Sequence, residues 1–200
     1  VSSVLHIERG QVLSVSSRGT TGSVQKFTLS DFPPVRTSPI LQGRNGDSGL
    51  GQFGRGIAKA GGRIFVSADP EIVSYSELTK GGWQEDARFS PAGDASTALV
   101  ESDGDILFTS NFRGGNPLEE ARVSIYRTIP GIKLEQVIES PDTTGDTSAF
   151  GTAMAVGGDY LVVSAFKRRN GRKILWIYRR SGPPEAPWVL SGTLDDDRDN

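Results

Sequence analysis

A glycine followed by a short β-rich run recurs four times, and this repeat limits the possible folds more than any other feature of the chain. The copies are residues 10–16 (GQVLSVS), 62–67 (GRIFVS), 104–110 (GDILFTS) and 158–164 (GDYLVVS), with leading glycines 52, 42 and 54 residues apart. A second β-like segment follows each copy, at 23–29, 73–78, 123–128 and 174–179, so each unit reads as a hairpin. In the fourth unit the hairpin tip is 167–173 (KRRNGRK), where Asn170-Gly171 would supply the two positive φ angles of a type I′ turn. A third signal closes the units. Trp83 after Gly81-Gly82, Leu134 after Gly131 and Trp188 after Pro183-Pro184 each open a short apolar stretch, with Val35 after Pro33-Pro34 as a weaker first copy.

No segment carries an apolar stripe at i, i+3, i+4 and i+7 over ten residues or more, so no substantial helix is expected. The class is all-β. Turn residues are plentiful: Gly 25 and Pro 11 together make 36 of 200 residues, above the usual share of about 12%. A sandwich should show turns every 8 to 12 residues without a longer period, whereas a period near fifty suits a four-stranded antiparallel unit. The expectation is a β-propeller or part of one, with about four blades at 1–42 (incomplete at its start), 43–91, 92–141 and 142–200. The first residue is Val1 and no basic stretch with a long apolar run follows it, so a processed chain or a fragment is expected.

The repeats resemble a named family. Gly46-Asp47, Phe53-Gly54, Ile57-Ala58 and residues 64–69 (IFVSAD) look like an FG-GAP repeat, the blade unit of integrin α-chain propellers. Gly145-Asp146, Phe150-Gly151, Ala153-Met154-Ala155 and residues 162–166 (VVSAF) look like a second copy. In the third unit Ser96-Thr97 stands where Phe-Gly would be. Small residues at Ser67-Ala68 and Ser164-Ala165 would let neighbouring blades approach, and each Phe-Gly pair would put a ring between sheets with a tight bend after it. Kelch repeats place their glycine pair after the strand, but Gly61-Gly62 and Gly157-Gly158 precede it, and the chain has no Trp-Asp dipeptide. Propellers of the resembled family usually have about seven blades, so four imply a part-ring with exposed blade faces.

Calcium is the cofactor that the resemblance suggests, because some FG-GAP blades hold the ion in an Asp-rich loop. Asp142 and Asp146 offer two carboxylates, with Thr144, Thr147 and Phe150 at positions where ligands or the turn glycine would stand. Asp195, Asp197 and Asp199, followed by Asn200, match the opening of such a loop better. The alternatives are an ordinary Asp-rich turn and a solvated acidic terminus. The basic tip of Lys167, Arg168, Arg169, Arg172 and Lys173 is an interaction patch for an anionic ligand or an acidic protein surface, set against a solvated hairpin. Residues 49–54 (GLGQFG) match a dinucleotide fingerprint in letters only, since a polar loop precedes them.

Catalytic resources are few. His6 is the single histidine and there is no cysteine, which excludes disulfides, thiolate metal sites and Cys nucleophiles. Trp83, Trp176 and Trp188 could stack sugars, yet Trp83 and Trp188 recur at one blade position and read more simply as packing residues. The net charge of -2 offers no global attraction to nucleic acid, and the longest apolar runs, such as 160–163, fall far short of the about 20 residues of a membrane-spanning helix. The sequence therefore reads as a non-enzymatic recognition or assembly module that binds protein or ligand through blade edges or the basic tip. The resemblance implies an adhesion-like role at the cell surface or outside the cell. A structural subunit of a large complex, organellar or intracellular, is the alternative, and a propeller region of a hydrolase is the second.

Overall fold

The computed structural model describes residues 3–8, 11–18, 21–28, 35–36, 41–42, 53–68, 70–79, 82–91, 97–111 and 121–195; in the first five stretches it describes little beyond backbone pairing. These residues are all-β, with no helix among them. They form four antiparallel sheets, each drawn from one contiguous stretch. The first holds β1 (Ser3–Glu8), β2 (Gln11–Arg18), β3 (Thr21–Thr28), β4 (Val35–Arg36) and β5 (Leu41–Gln42), the last two both pairing with β3. The second runs in order through β6 (Phe53–Ala60), β7 (Arg63–Ala68), β8 (Glu71–Glu77) and β9 (Trp83–Phe89). The third repeats that order with β10 (Thr97–Asp103), β11 (Ile106–Asn111), β12 (Arg122–Arg127) and β13 (Lys133–Glu139). In the fourth, β14 (Thr147–Ser148) and β15 (Met154–Gly157) both pair with β16 (Tyr160–Lys167), followed by β17 (Lys173–Arg180) and β18 (Trp188–Asp195).

The glycine-led runs are the second strands β2, β7, β11 and β16, and the register corrects their alignment. Ala60 pairs with Arg63, Asp103 with Ile106 and Gly157 with Tyr160. The equivalent turn openers are therefore Gly61, Gly104 and Gly158, rather than Gly62, and all three hold φ between 54° and 61°. Left-handed backbone at that position is why glycine opens these three turns. The Asn170-Gly171 tip is a second correction. Only Gly171 is at positive φ, because the loop is closed by an i→i+4 bond from Gly171 N to Lys167 O (2.8 Å) rather than by a two-residue type I′ turn.

Alternation along the strands gives the second and third sheets two apolar faces. On β7, Phe65 joins one cluster while Ile64 and Val66 join another; all six residues of β11 are buried. A strand covered on both sides reads as a continuous apolar run. One face of the second sheet (Ala58, Phe65, Ile72) packs on one face of the third (Val100, Leu107, Tyr126), and Phe89 meets Tyr126 edge-on at 5.1 Å. The opposite face of the third (Phe108, Val123, Ile125) packs on the fourth (Leu161, Val163, Ala165), with Phe108 edge-on to Trp188 at 5.4 Å. The second, third and fourth sheets thus follow one another face to face in chain order. Gln136 locks the second of these contacts through a reciprocal pair of 2.9 Å bonds, donating to Trp188 O and accepting from Trp188 N.

The first strands come closest. β6 approaches β10, and β10 approaches β15. A Cβ on Gly56 would lie 2.9 Å from Val100 N, and one on Gly151 2.9 Å from the Ser110 Cβ. Both Phe-Gly pairs sit at this crowded side: Phe53 and Phe150 are buried and their glycines hold φ of 82° and 84°. Behind each pair a serine hydroxyl braces the strand, Ser67 Oγ accepting from Gly56 N (2.7 Å) and Ser164 Oγ from Ala153 N (2.9 Å).

Candidate functional site: an inter-sheet groove and an ion-paired tip

Between β9 and the β12–β13 hairpin lies an open groove of about 620 Å³ lined by Phe89, Tyr126, Ile132 and Leu134, with Arg63 and Asp86 at one end. The edge-on rings of Phe89 and Tyr126 line it, and Leu134 is exposed beside them. The polar end is organised: Asp86 accepts from Ser76 Oγ and sits 3.6 Å from Arg63 Nε, while Arg63 Nη1 donates to Thr128 O at 3.4 Å. Such a volume, with apolar walls and a few oriented polar groups, suits a ligand pocket. Sequence reasoning missed the groove because its residues lie on two sheets and each reads singly as a strand-end packing residue.

The basic tip and the acidic candidates meet. Lys167 pairs with Asp195, and Arg169 Nε lies 3.2 Å from Asp146 Oδ1. Asp146 O also accepts from Arg168 N at 2.6 Å. Lys173 is exposed at the start of β17, and Arg168 and Arg172 have interaction partners. Two of the carboxylates considered for calcium are thus spent on the two flanks of the patch considered for anions, which lowers the charge each presents.

Asp142 is occupied in another way. Its Oδ1 accepts from Thr144 Oγ1 (2.6 Å) and Thr144 N (2.9 Å), and its Oδ2 accepts from Thr147 N. The Thr144 hydroxyl foremost, with those backbone N–H groups, holds the Asp142 carboxyl down at about 2. This is an Asx-type turn. Asp197 and Asp199 lie outside the described residues. Among the described residues no group of three or more acidic or His side chains is placed to hold a metal ion.

Burial perturbs two other ionisable groups. Burial pushes the Glu101 carboxyl on β10 up, and pushes the Tyr178 hydroxyl to about 12. The Tyr178 hydroxyl has no hydrogen-bond partner. The side chain of His6 lies outside the described residues, as do Gly49 and Gly51 of the dinucleotide-like run. No helix among the described residues is long and apolar enough to cross a membrane.

No family model matches the chain, and no curated protein matches it.

Proposed function

We propose that the four sheets are consecutive blades of an FG-GAP-like β-propeller or part-ring, and that the chain is a non-catalytic recognition and assembly module. The face-to-face succession of sheets supports the blade reading, as does the gathering of β6, β10 and β15. Two Phe-Gly pairs braced by equivalent serines support the resemblance. Bounds of 1–42, 43–91, 92–141 and 142–200 place each sheet within one blade. The groove carries the recognition reading, because apolar side chains, two aromatic rings and a guanidinium line it together.

Its partner is an extended protein segment that seats an apolar side chain against Phe89 and Tyr126 and directs an acidic or carbonyl oxygen at Arg63. Panning a random peptide library against the immobilised chain tests this. Enriched peptides should share an apolar residue near an acidic one, and Leu134→Asp should weaken their binding at least tenfold while Val189→Asp, on another sheet, should not. A library without enrichment, or peptides indifferent to Leu134→Asp, would refute the reading. The structural-subunit alternative is favoured by a separate observation, the open apolar face of β16–β18.

A further inference from the structure

The groove has a counterpart one sheet further on. Between the third and fourth sheets a cavity of about 90 Å³ is lined by Glu135, Gln136, Pro187 and Trp188, whereas the groove of about 620 Å³ is lined by Asp86, Ala87, Gly131 and Ile132. Strand register makes these four pairs equivalent. Ala87 pairs with Ser74 and Ser74 with Phe65, as Gln136 pairs with Ile125 and Ile125 with Phe108. Phe65 and Phe108 lie at the same distance from the turn openers Gly61 and Gly104. Ile132 precedes Lys133, the partner of Arg127, just as Trp188 precedes Val189, the partner of Arg179. Those two arginines pair in turn with Ile106 and Tyr160, which stand equally far past Gly104 and Gly158. Asp86 and Glu135 fall beside Ala87 and Gln136, and Gly131 and Pro187 beside Ile132 and Trp188.

One place in the repeat is thus filled at the later contact and open at the earlier one. At the later contact the Trp188 ring stands edge-on to Phe108 at 5.4 Å and lies against the Arg180 guanidinium at 5.0 Å, while Gln136 bonds its backbone twice. At the earlier contact each lining residue is the smaller of its pair: Asp for Glu, Ala for Gln, Gly for Pro and Ile for Trp. The surroundings that hold an indole are nevertheless kept. Phe65, the counterpart of Phe108, is fully buried in the cluster on which Ile132 packs. A guanidinium is present too, since Arg63 Nη1 donates to the carbonyl of Thr128, which holds the register position of Arg180.

We propose that the groove is an anchor site for a tryptophan side chain of a partner protein segment, bound as Trp188 is bound at the next contact. The inference rests on the recognition reading of the groove and deepens it by naming the side chain that the partner inserts. An indole is flat and apolar and packs edge-on with rings such as Phe89 and Tyr126. Its face attracts a guanidinium, here that of Arg63. An aliphatic anchor fills less of the space and offers the guanidinium no ring. Tryptophan is also among the residues that most often carry the binding energy of an interface when seated in such a slot.

The peptides enriched by panning are the probe, and calorimetric titration of the 200-residue chain reads their affinity. Their apolar residue should be tryptophan, and replacing it by leucine in the peptide should raise Kd at least tenfold. The double variant Ala87→Gln/Ile132→Trp rebuilds the Trp188 contact inside the groove, so it should weaken the tryptophan peptides at least tenfold. Circular dichroism checks that this variant is folded; if it is not, Leu134→Asp, at an exposed position, takes its place. Peptides that lose affinity with Leu134→Asp but bind as well with leucine as with tryptophan would overturn this inference and leave the recognition reading standing. Tryptophan peptides indifferent to the filled groove would overturn it as well. A library without enrichment would remove both.

Discussion

Ser67, Ser110 and Ser164 stand at one position of the repeat, opposite Gly56, Leu99 and Ala153, yet they do different jobs. Two of them accept a backbone N–H from the first strand, whereas Ser110 Oγ is buried without a hydrogen-bond partner. Removing an acceptor strands a buried donor, and removing an unpaired hydroxyl strands nothing. Ser67→Ala should therefore cost about 1–3 kcal/mol in denaturant unfolding, and Ser110→Ala should change stability by less than about 0.5 kcal/mol. Equal effects would contradict the bracing role. The serines were visible in the sequence as small residues, but their hydrogen bonds were not, since those depend on the register of the neighbouring strand.

Asp142 yields a pH signature at the same scale. Its carboxyl titrates near 2 in the folded chain, against about 3.9 in an unfolded one. A depressed folded value means that the ionised, triply hydrogen-bonded carboxylate stabilises the fold above about pH 4, and that this contribution fades as pH falls through about 2. In urea titrations, the gap between wild type and Asp142→Asn should be full at pH 5 and should shrink toward pH 2. A gap constant across that range would mean that Asp142 is not held by Thr144 and Thr147.

At the level of elements, the period was the legible part. Segments marked by leading glycines, aromatic alternation and Trp83, Leu134 or Trp188 coincide with the second, third and fourth strands of their sheets, because period-2 burial and turn glycines are local signals. The 167–173 tip was misread. Asn-Gly favours a two-residue turn, but five residues between Lys167 and Lys173 leave room for the longer loop, which needs one left-handed position and takes it at Gly171. Which side chains meet across the sheet faces was not legible, since Phe108 and Trp188 lie 80 positions apart in the chain. Their edge-on contact should appear as coupling. A double-mutant cycle with Phe108→Leu and Trp188→Leu should give an interaction of about 0.5–1.5 kcal/mol. The same cycle between Phe89 and Trp188, which belong to different contacts, should give a value near zero.

Across the described molecule, the second, third and fourth sheets each lie against the next in the chain, with β6, β10 and β15 gathered and apolar faces stacked in series. Composition and period pointed to repeated small sheets, and the Phe-Gly pairs marked where the sheets crowd, but the groove and the open face arise only once the sheets are placed side by side. The most direct test is a ¹³C-edited nuclear Overhauser spectrum of the chain with selectively labelled aromatics. Serial stacking requires cross-peaks between Phe89 and Tyr126, whose rings lie 5.1 Å apart, and between Phe108 and Trp188, at 5.4 Å. Cross-peaks from Phe65 to Leu161 or Val163 would instead place the second sheet directly on the fourth, and would contradict it.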